Sequence, residues 1–123
     1  VLGLAFKPGT DDLREAPSID NIALLLKNGA DVVAYDPVAM NNFKKKFPEG
    51  VVERGTISYT NQIEEALKDA NICFIFTEWK EIKKVEPEAI KQLMRTPLVY
   101  DGRNIFDPEK MKAAGVEYYS IGR

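Results

Sequence analysis

The chain of 123 residues is long enough for one domain and short for two, and its 45% hydrophobic and 29% charged residues suit a globular fold, not a disordered or fibrous one. The 17 basic and 19 acidic side chains leave a net charge of −2, with no basic excess to hold a nucleic-acid backbone. Histidine is absent and Cys73 is the single cysteine, which excludes a histidine base, a histidine-bearing metal site, a Ser-His-Asp triad and a disulfide framework within the chain, and suits a reducing compartment.

The first residues, Val1 to Phe6, read as a buried strand with no polar lead-in and no signal-peptide charge pattern. A start inside a strand, without methionine, leads to the expectation of a domain cut from a longer protein. No apolar run approaches the ~18 residues of a membrane span. After a polar loop, Ile19, Ile22, Ala23 and Leu26 recur at helical spacing, with Leu24 and Leu25 widening the apolar face. Ser18 is the expected N-cap, Asp20 suits the first turn, and Gly29 suits a left-handed stop.

Val32 to Tyr35 is a second strand, ended by Asp36-Pro37. A helix follows with Met40, Phe43 and Phe47 inward, Lys44 to Lys46 forming a solvated face, and Pro48 closing it. Residues 50–60 are ambiguous, with Ile57 to Tyr59 as a short strand. Asn61 and Glu64 resemble a capping box ahead of Ile63, Ala66 and Leu67. Ile72 to Phe76 is the clearest strand, five apolar residues in a row, as where both faces of a sheet are covered. A helix near 87–95 turns Ile90, Leu93 and Met94 inward, and Leu98 to Tyr100 is a short strand. Asp107-Pro108 opens the last helix as N-cap and N1, Gly115 stops it, and Val116 to Tyr119 form the last strand. This alternation predicts a single α/β domain over residues 1–123: a Rossmann-like, open, mainly parallel sheet with helices on both faces.

Ligands of such sheets bind outside the carboxyl ends of the strands. The loops there are Phe6 to Arg14, Asp36, Thr77-Glu78-Trp79 and Asp101-Gly102-Arg103. The glycine-rich dinucleotide fingerprint is missing; Gly3-Leu4-Ala5-Phe6-Lys7-Pro8 puts a lysine at the strand exit instead. Lys7 suits a phosphate or sugar hydroxyl, or else a surface pair with Asp11 or Asp12. The fork of Arg103 suits phosphate or carboxylate, or else a bridge to Asp101 or Asp107. Arg14 has the same two readings beside Asp11, Asp12 and Glu15. Asp36 stands where a Rossmann acid grips a ribose, but without the glycines a helix cap is the favoured role. Cys73, inside Ile-Cys-Phe-Ile-Phe, reads as a buried small hydrophobe, and Trp79 either stacks on a base or packs at the rim.

Taken together, these loops carry a resemblance. The block from Gly3 to Ser18 resembles the opening of the C-terminal, UDP-binding domain of the UDP-glucose 6-dehydrogenases, in the UDP-glucose/GDP-mannose dehydrogenase family. Thr77-Glu78-Trp79, Asp101-Gly102-Arg103-Asn104 and Tyr119-Ser120-Ile121-Gly122-Arg123 look like the family's later motifs in the same order, and the Asp-Gly-Arg-Asn block favours the UDP-glucose branch over the GDP-mannose and N-acetylmannosamine branches.

The resemblance implies a share of a larger oxidoreductase of polysaccharide biosynthesis, cytoplasmic and homo-oligomeric. Such an enzyme oxidises the C6 alcohol of UDP-glucose to a carboxylate with two NAD through a cysteine thiohemiacetal. Its NAD-binding domain and nucleophilic cysteine would lie upstream, so the present chain alone would be inactive and would hold no catalytic residue. Phe6, Lys7 and Arg103 would contact UDP-glucose, and Arg14 would reach NAD bound by the other domain. Nucleic acid, membrane and metal have no part in this reading. The alternatives are another nucleotide-sugar 6-dehydrogenase or, from a different class, a flavodoxin-like or receiver-type module; the leading Lys7 with acids behind it argues against a receiver.

Overall fold

The computed structural model describes residues 1–121 and is an α/β domain. The chain order is α1 (Pro17–Lys27), β1 (Asp31–Tyr35), α2 (Met40–Lys46), β2 (Gly50–Val52), β3 (Gly55–Thr60), α3 (Ile63–Leu67), β4 (Cys73–Ile75), α4 (Lys80–Lys83), α5 (Pro87–Leu93), β5 (Leu98–Asp101), α6 (Pro108–Ala113) and β6 (Glu117–Ser120). The strands run β2-β3-β1 on one side and β4-β5-β6 on the other. The first residues of the chain lie between these halves. Leu2 bridges Tyr35 and Ile75, both in parallel. Gly3 N–H donates to Tyr35 O at 2.8 Å, and Leu2 N–H donates to Phe74 O at 2.8 Å. The sheet is therefore continuous, and among the described residues only the β2–β3 pair is antiparallel.

That order is the doubly wound one, with the first segment at the centre and the crossovers reversing direction between it and β4. The core follows from it. Leu2, Leu4, Ile22, Leu26, Phe43, Ile57, Ile75, Ile90, Val99 and Met111 are each 2% exposed or less. Strand-facing apolar residues and helical stripes meet there, as the sequence pattern requires. No helix among the described residues is long and apolar enough to cross a membrane.

Several local expectations are corrected. The ambiguous stretch 50–60 is the β2–β3 hairpin. The first strand is shorter than Val1 to Phe6, because Phe6 already lies in the following loop with its side chain exposed. Ser18 does not cap α1: Ala16 holds that position with Pro17 at the first turn. The buried Ser18 hydroxyl instead donates to Leu4 O at 2.6 Å, tying the helix to the central segment. Asn61 does not cap α3 either; Gln62 precedes that helix with no side-chain cap, and Thr60 Oγ1 accepts from Gln62 N–H at 3.1 Å. Asp107 does cap α6, accepting from Glu109 N–H at 2.9 Å. The short α4 has no counterpart among the sequence-based elements, since four residues are too few to show a period.

Candidate functional site

The strand order reverses between the segment ending at Leu4 and β4, and the loops that follow Leu4 and Ile75 face each other there. Close approach of these two loops depends on Gly3. Its φ of +93° is left-handed, and an added Cβ would lie 2.6 Å from both Cβ and N of Thr77. Thr77 is itself buried, and its hydroxyl donates to Ala5 O at 2.6 Å.

Asp36 is the second tie. Its buried carboxylate accepts from Leu4 N–H (2.8 Å), Ala5 N–H (3.0 Å) and Trp79 Nε1–H (3.0 Å) through Oδ2. Through Oδ1 it accepts from Val38 N–H (2.8 Å) and Ala39 N–H (2.7 Å), just ahead of α2. Asp36 is therefore not the expected helix cap: Ala39 holds the N-cap of α2 with no side-chain cap, and Asp36 closes the turn ahead of it. Trp79 is 7% exposed, so it packs inward and its polar edge is spent on Asp36.

On this frame stand the site residues. Phe6 is 39% exposed, and its N–H donates to Asp12 O at 2.8 Å, closing the loop that carries Lys7. Lys7 is exposed, and among the described residues it forms no ion pair with Asp11 or Asp12. Asp12 pairs instead with Arg14, Nη2 to Oδ2 at 2.9 Å and Nε to Oδ1 at 3.1 Å. The Arg14 hydrogen bonds hold the Asp12 carboxyl at about 2, with Lys7 adding a smaller pull. The Arg14 side chain is 89% exposed.

Arg103 follows β5, which β4 separates from the segment that leads to Lys7. Its guanidinium does not bridge Asp101 or Asp107, as sequence proximity suggested; it pairs with Glu78, Nη2 to Oε2 at 2.9 Å and Nε to Oε2 at 3.3 Å. Asp101 shapes the loop from below: Oδ1 accepts from Arg103 N–H at 2.9 Å, and Oδ2 accepts from Ile105 N–H (2.8 Å) and Tyr118 Oη–H (2.6 Å). Partial burial alone would raise the Glu78 carboxyl, but the Arg103 hydrogen bonds outweigh it and bring it below the usual carboxylate range. Glu78 thus engages the Nε side of the guanidinium, leaving Nη1 with no hydrogen bond among the described residues. Glu78 was not among the expected site residues; its place after the central strand Ile72 to Phe76 was the available signal for its role as partner of Arg103.

Cys73 is buried, and burial pushes its thiol to about 11, so it is no nucleophile. No cluster of three or more metal-ligating side chains exists among the described residues. Of the terminal motif, Tyr119, Ser120 and Ile121 are described, and Gly122 and Arg123 lie outside the described residues.

Residues 1–108 match the model of the UDP-glucose/GDP-mannose dehydrogenase family, UDP binding domain. The chain belongs to this family. Among similar proteins of this dehydrogenase family, UDP-glucose 6-dehydrogenase TuaD of Bacillus subtilis (strain 168) is 44% identical across all of this chain, which covers 25% of TuaD. UDP-glucose 6-dehydrogenase YwqF of the same organism is 46% identical, again across all of this chain and over 27% of YwqF. The chain spans about a quarter of the length of these relatives. Among solved structures, the NDP-N-acetyl-D-galactosaminuronic acid dehydrogenase from Methanosarcina mazei Go1 superposes with a TM-score of 0.78 at 27% identity, over 99% of this chain and 24% of that one. A UDP-glucose dehydrogenase from Pyrobaculum islandicum follows with a TM-score of 0.74 at 30% identity, over 96% of this chain and 23% of that one.

Proposed function

We propose that this chain is the UDP-sugar-binding wall of a longer UDP-glucose 6-dehydrogenase, the rest of which supplies the NAD-binding domain and the nucleophilic cysteine. The observation that carries the reading is the pair of cations at the strand ends on either side of β4: Lys7, without an ion-pair partner among the described residues, and Arg103, held from one side by Glu78. A diphosphate is neutralised by two such cations without a glycine-rich loop. Lys7 acts as a compact charge on the phosphates. Arg103 presents its Nη1 side, pre-oriented by Glu78, so less rotamer freedom is lost on binding. Phe6 offers an exposed apolar face next to Lys7 in the chain.

The chain's own strand-order reversal does not fit a dinucleotide. Asp36, at the ribose-acid position, has both oxygens committed to amides and to Trp79. In this reading NAD is held by the other domain, and the exposed Arg14 reaches it from across the cleft. Binding energy from the remote UDP portion then holds the hexose C6 against chemistry supplied elsewhere. The chain alone is inactive. The same reading places the parent enzyme in the cytoplasm, as a homo-oligomer making a sugar acid for polysaccharide biosynthesis.

The experiment is a calorimetric titration of the chain with UDP-glucose and UDP. Saturable binding that weakens in Lys7→Ala and Arg103→Ala supports the site; no heat at millimolar UDP from folded protein removes it. Reduction of NAD by the chain alone would overturn the division of labour.

A further inference from the structure

Among the described residues, one half of one sheet face is left open. Neighbouring strands in register point their side chains the same way, so Phe74, Tyr100 and Tyr119 share a face across β4, β5 and β6. Their rings stack in sequence, Phe74 on Tyr100 at 5.6 Å and Tyr100 on Tyr119 at 5.2 Å, and Phe76 extends the row from Phe74 at 6.0 Å. Tyr100 is 42% and Tyr119 49% exposed, with Ile121 beside them, above a shallow cavity of about 250 Å³. The opposite face of the same strands is closed: Cys73, Ile75 and Val99 are buried.

The other half of this face is covered. A Cβ on Gly55 of β3 would point at Leu26 of α1, and Tyr59 of β3 meets Phe43 of α2 edge-on at 6.3 Å. Gly55 and Tyr59 fall on the same face as Phe74, because Leu2 is in register with both Tyr35 and Ile75 and thereby aligns the two halves of the sheet. The helix layer over this face is thus half complete. Parallel sheets are covered on both faces, and an apolar aromatic row across three strands marks an interaction surface.

We propose that the Phe76-Phe74-Tyr100-Tyr119 row is the docking surface for an amphipathic α-helix contributed by the remaining three-quarters of the dehydrogenase polypeptide. Two facts select this occupant. The relatives carry about three times as much chain again, which has to pack against this domain somewhere. The surface also continues the layer already begun by α1 and α2, where a helix fits and an added strand does not. The inference rests on the chain's place within a longer dehydrogenase, not on the nucleotide site: UDP binding can fail and leave it standing.

The test uses the full-length gene product with p-benzoylphenylalanine in place of Tyr119, photolysed and mapped by peptide mass spectrometry. The expected result is a cross-link to a helical segment of the same polypeptide outside residues 1–123. Nitration of Tyr100 by tetranitromethane is expected to be at least tenfold slower in the full-length protein than in residues 1–123. A cross-link to residues 1–123 of a second copy would overturn the proposal in favour of self-association. No cross-link, with equal nitration in both proteins, would overturn it by showing an open face.

Discussion

Asp36 Oδ2 accepts the indole N–H of Trp79 at 3.0 Å while the same oxygen accepts the amides of Leu4 and Ala5. One carboxylate therefore joins the strand end that precedes Lys7 to the loop that carries Glu78. This makes the geometry of both cations depend on a buried acid that touches neither. Replacing Asp36 by Asn puts an amide donor where only donors converge, and is expected to cost about 2–4 kcal/mol in urea denaturation. Trp79→Phe removes one hydrogen bond and keeps most of the packing, with an expected loss of about 1–2 kcal/mol. An Asp36→Asn chain as stable as the original would show that the network carries no weight.

The two cations separate by what each touches in the chain itself. Lys7→Ala is expected to leave thermal stability unchanged and weaken UDP about tenfold or more, the scale of one charge-assisted contact. Arg103→Ala is expected to weaken UDP by a similar factor. Glu78→Gln keeps the shape but loosens the guanidinium, so UDP weakens by a smaller factor than in Arg103→Ala. Equal affinity across these variants in calorimetry would rule out a shared phosphate site.

Acid tests the Glu78–Arg103 pair directly. The Glu78 carboxyl lies below its usual range when folded, so the folded state binds its proton less readily than the unfolded one. Its stabilisation is present above the ordinary carboxylate range and is lost as pH falls through the folded value. Glu78→Gln should accordingly be less stable than the original near neutral pH, and the gap should close as the solution is acidified below the usual carboxylate range. Denaturation midpoints measured across that range provide the check, and a gap independent of pH would count against the pair.

Cys73 is expected to resist labelling by a thiol reagent at mildly alkaline pH until the chain unfolds. Its thiol is pushed to about 11 by burial and stays protonated there. Labelling in step with global unfolding, followed by mass spectrometry, is the predicted result; rapid labelling of folded protein would reopen it as a reactive group.

Gly3→Ala is the backbone test. The left-handed φ and a contact of 2.6 Å with the Thr77 backbone leave no room for a methyl group. A loss of about 3 kcal/mol or more is expected, against roughly 1 kcal/mol for Gly9→Ala, where φ is also positive but nothing crowds the new atom.

The periodicity of the chain was enough to reveal the α/β class, the order of the main elements and the strand exits where a site belongs. Hydrophobic spacing is a local property, and Ile72 to Phe76 or the Asp107-Pro108 cap carry it in a few adjacent residues. The loops after the strands also bore enough identity to reveal the family. Pairings between distant residues were not legible, because polar side chains choose partners by proximity in space. Arg103 passed over Asp101 and Asp107, its neighbours in sequence, for Glu78, which lies 25 residues away. Ser18 left the helix cap for Leu4 O, and Asp36 turned from a cap into a tie between two loops. The missing histidine excludes a histidine base within these 123 residues, and burial keeps the lone Cys73 protonated. Tertiary structure alone decided that its two cations stand on one buried frame, and that among the described residues half a sheet face is left uncovered.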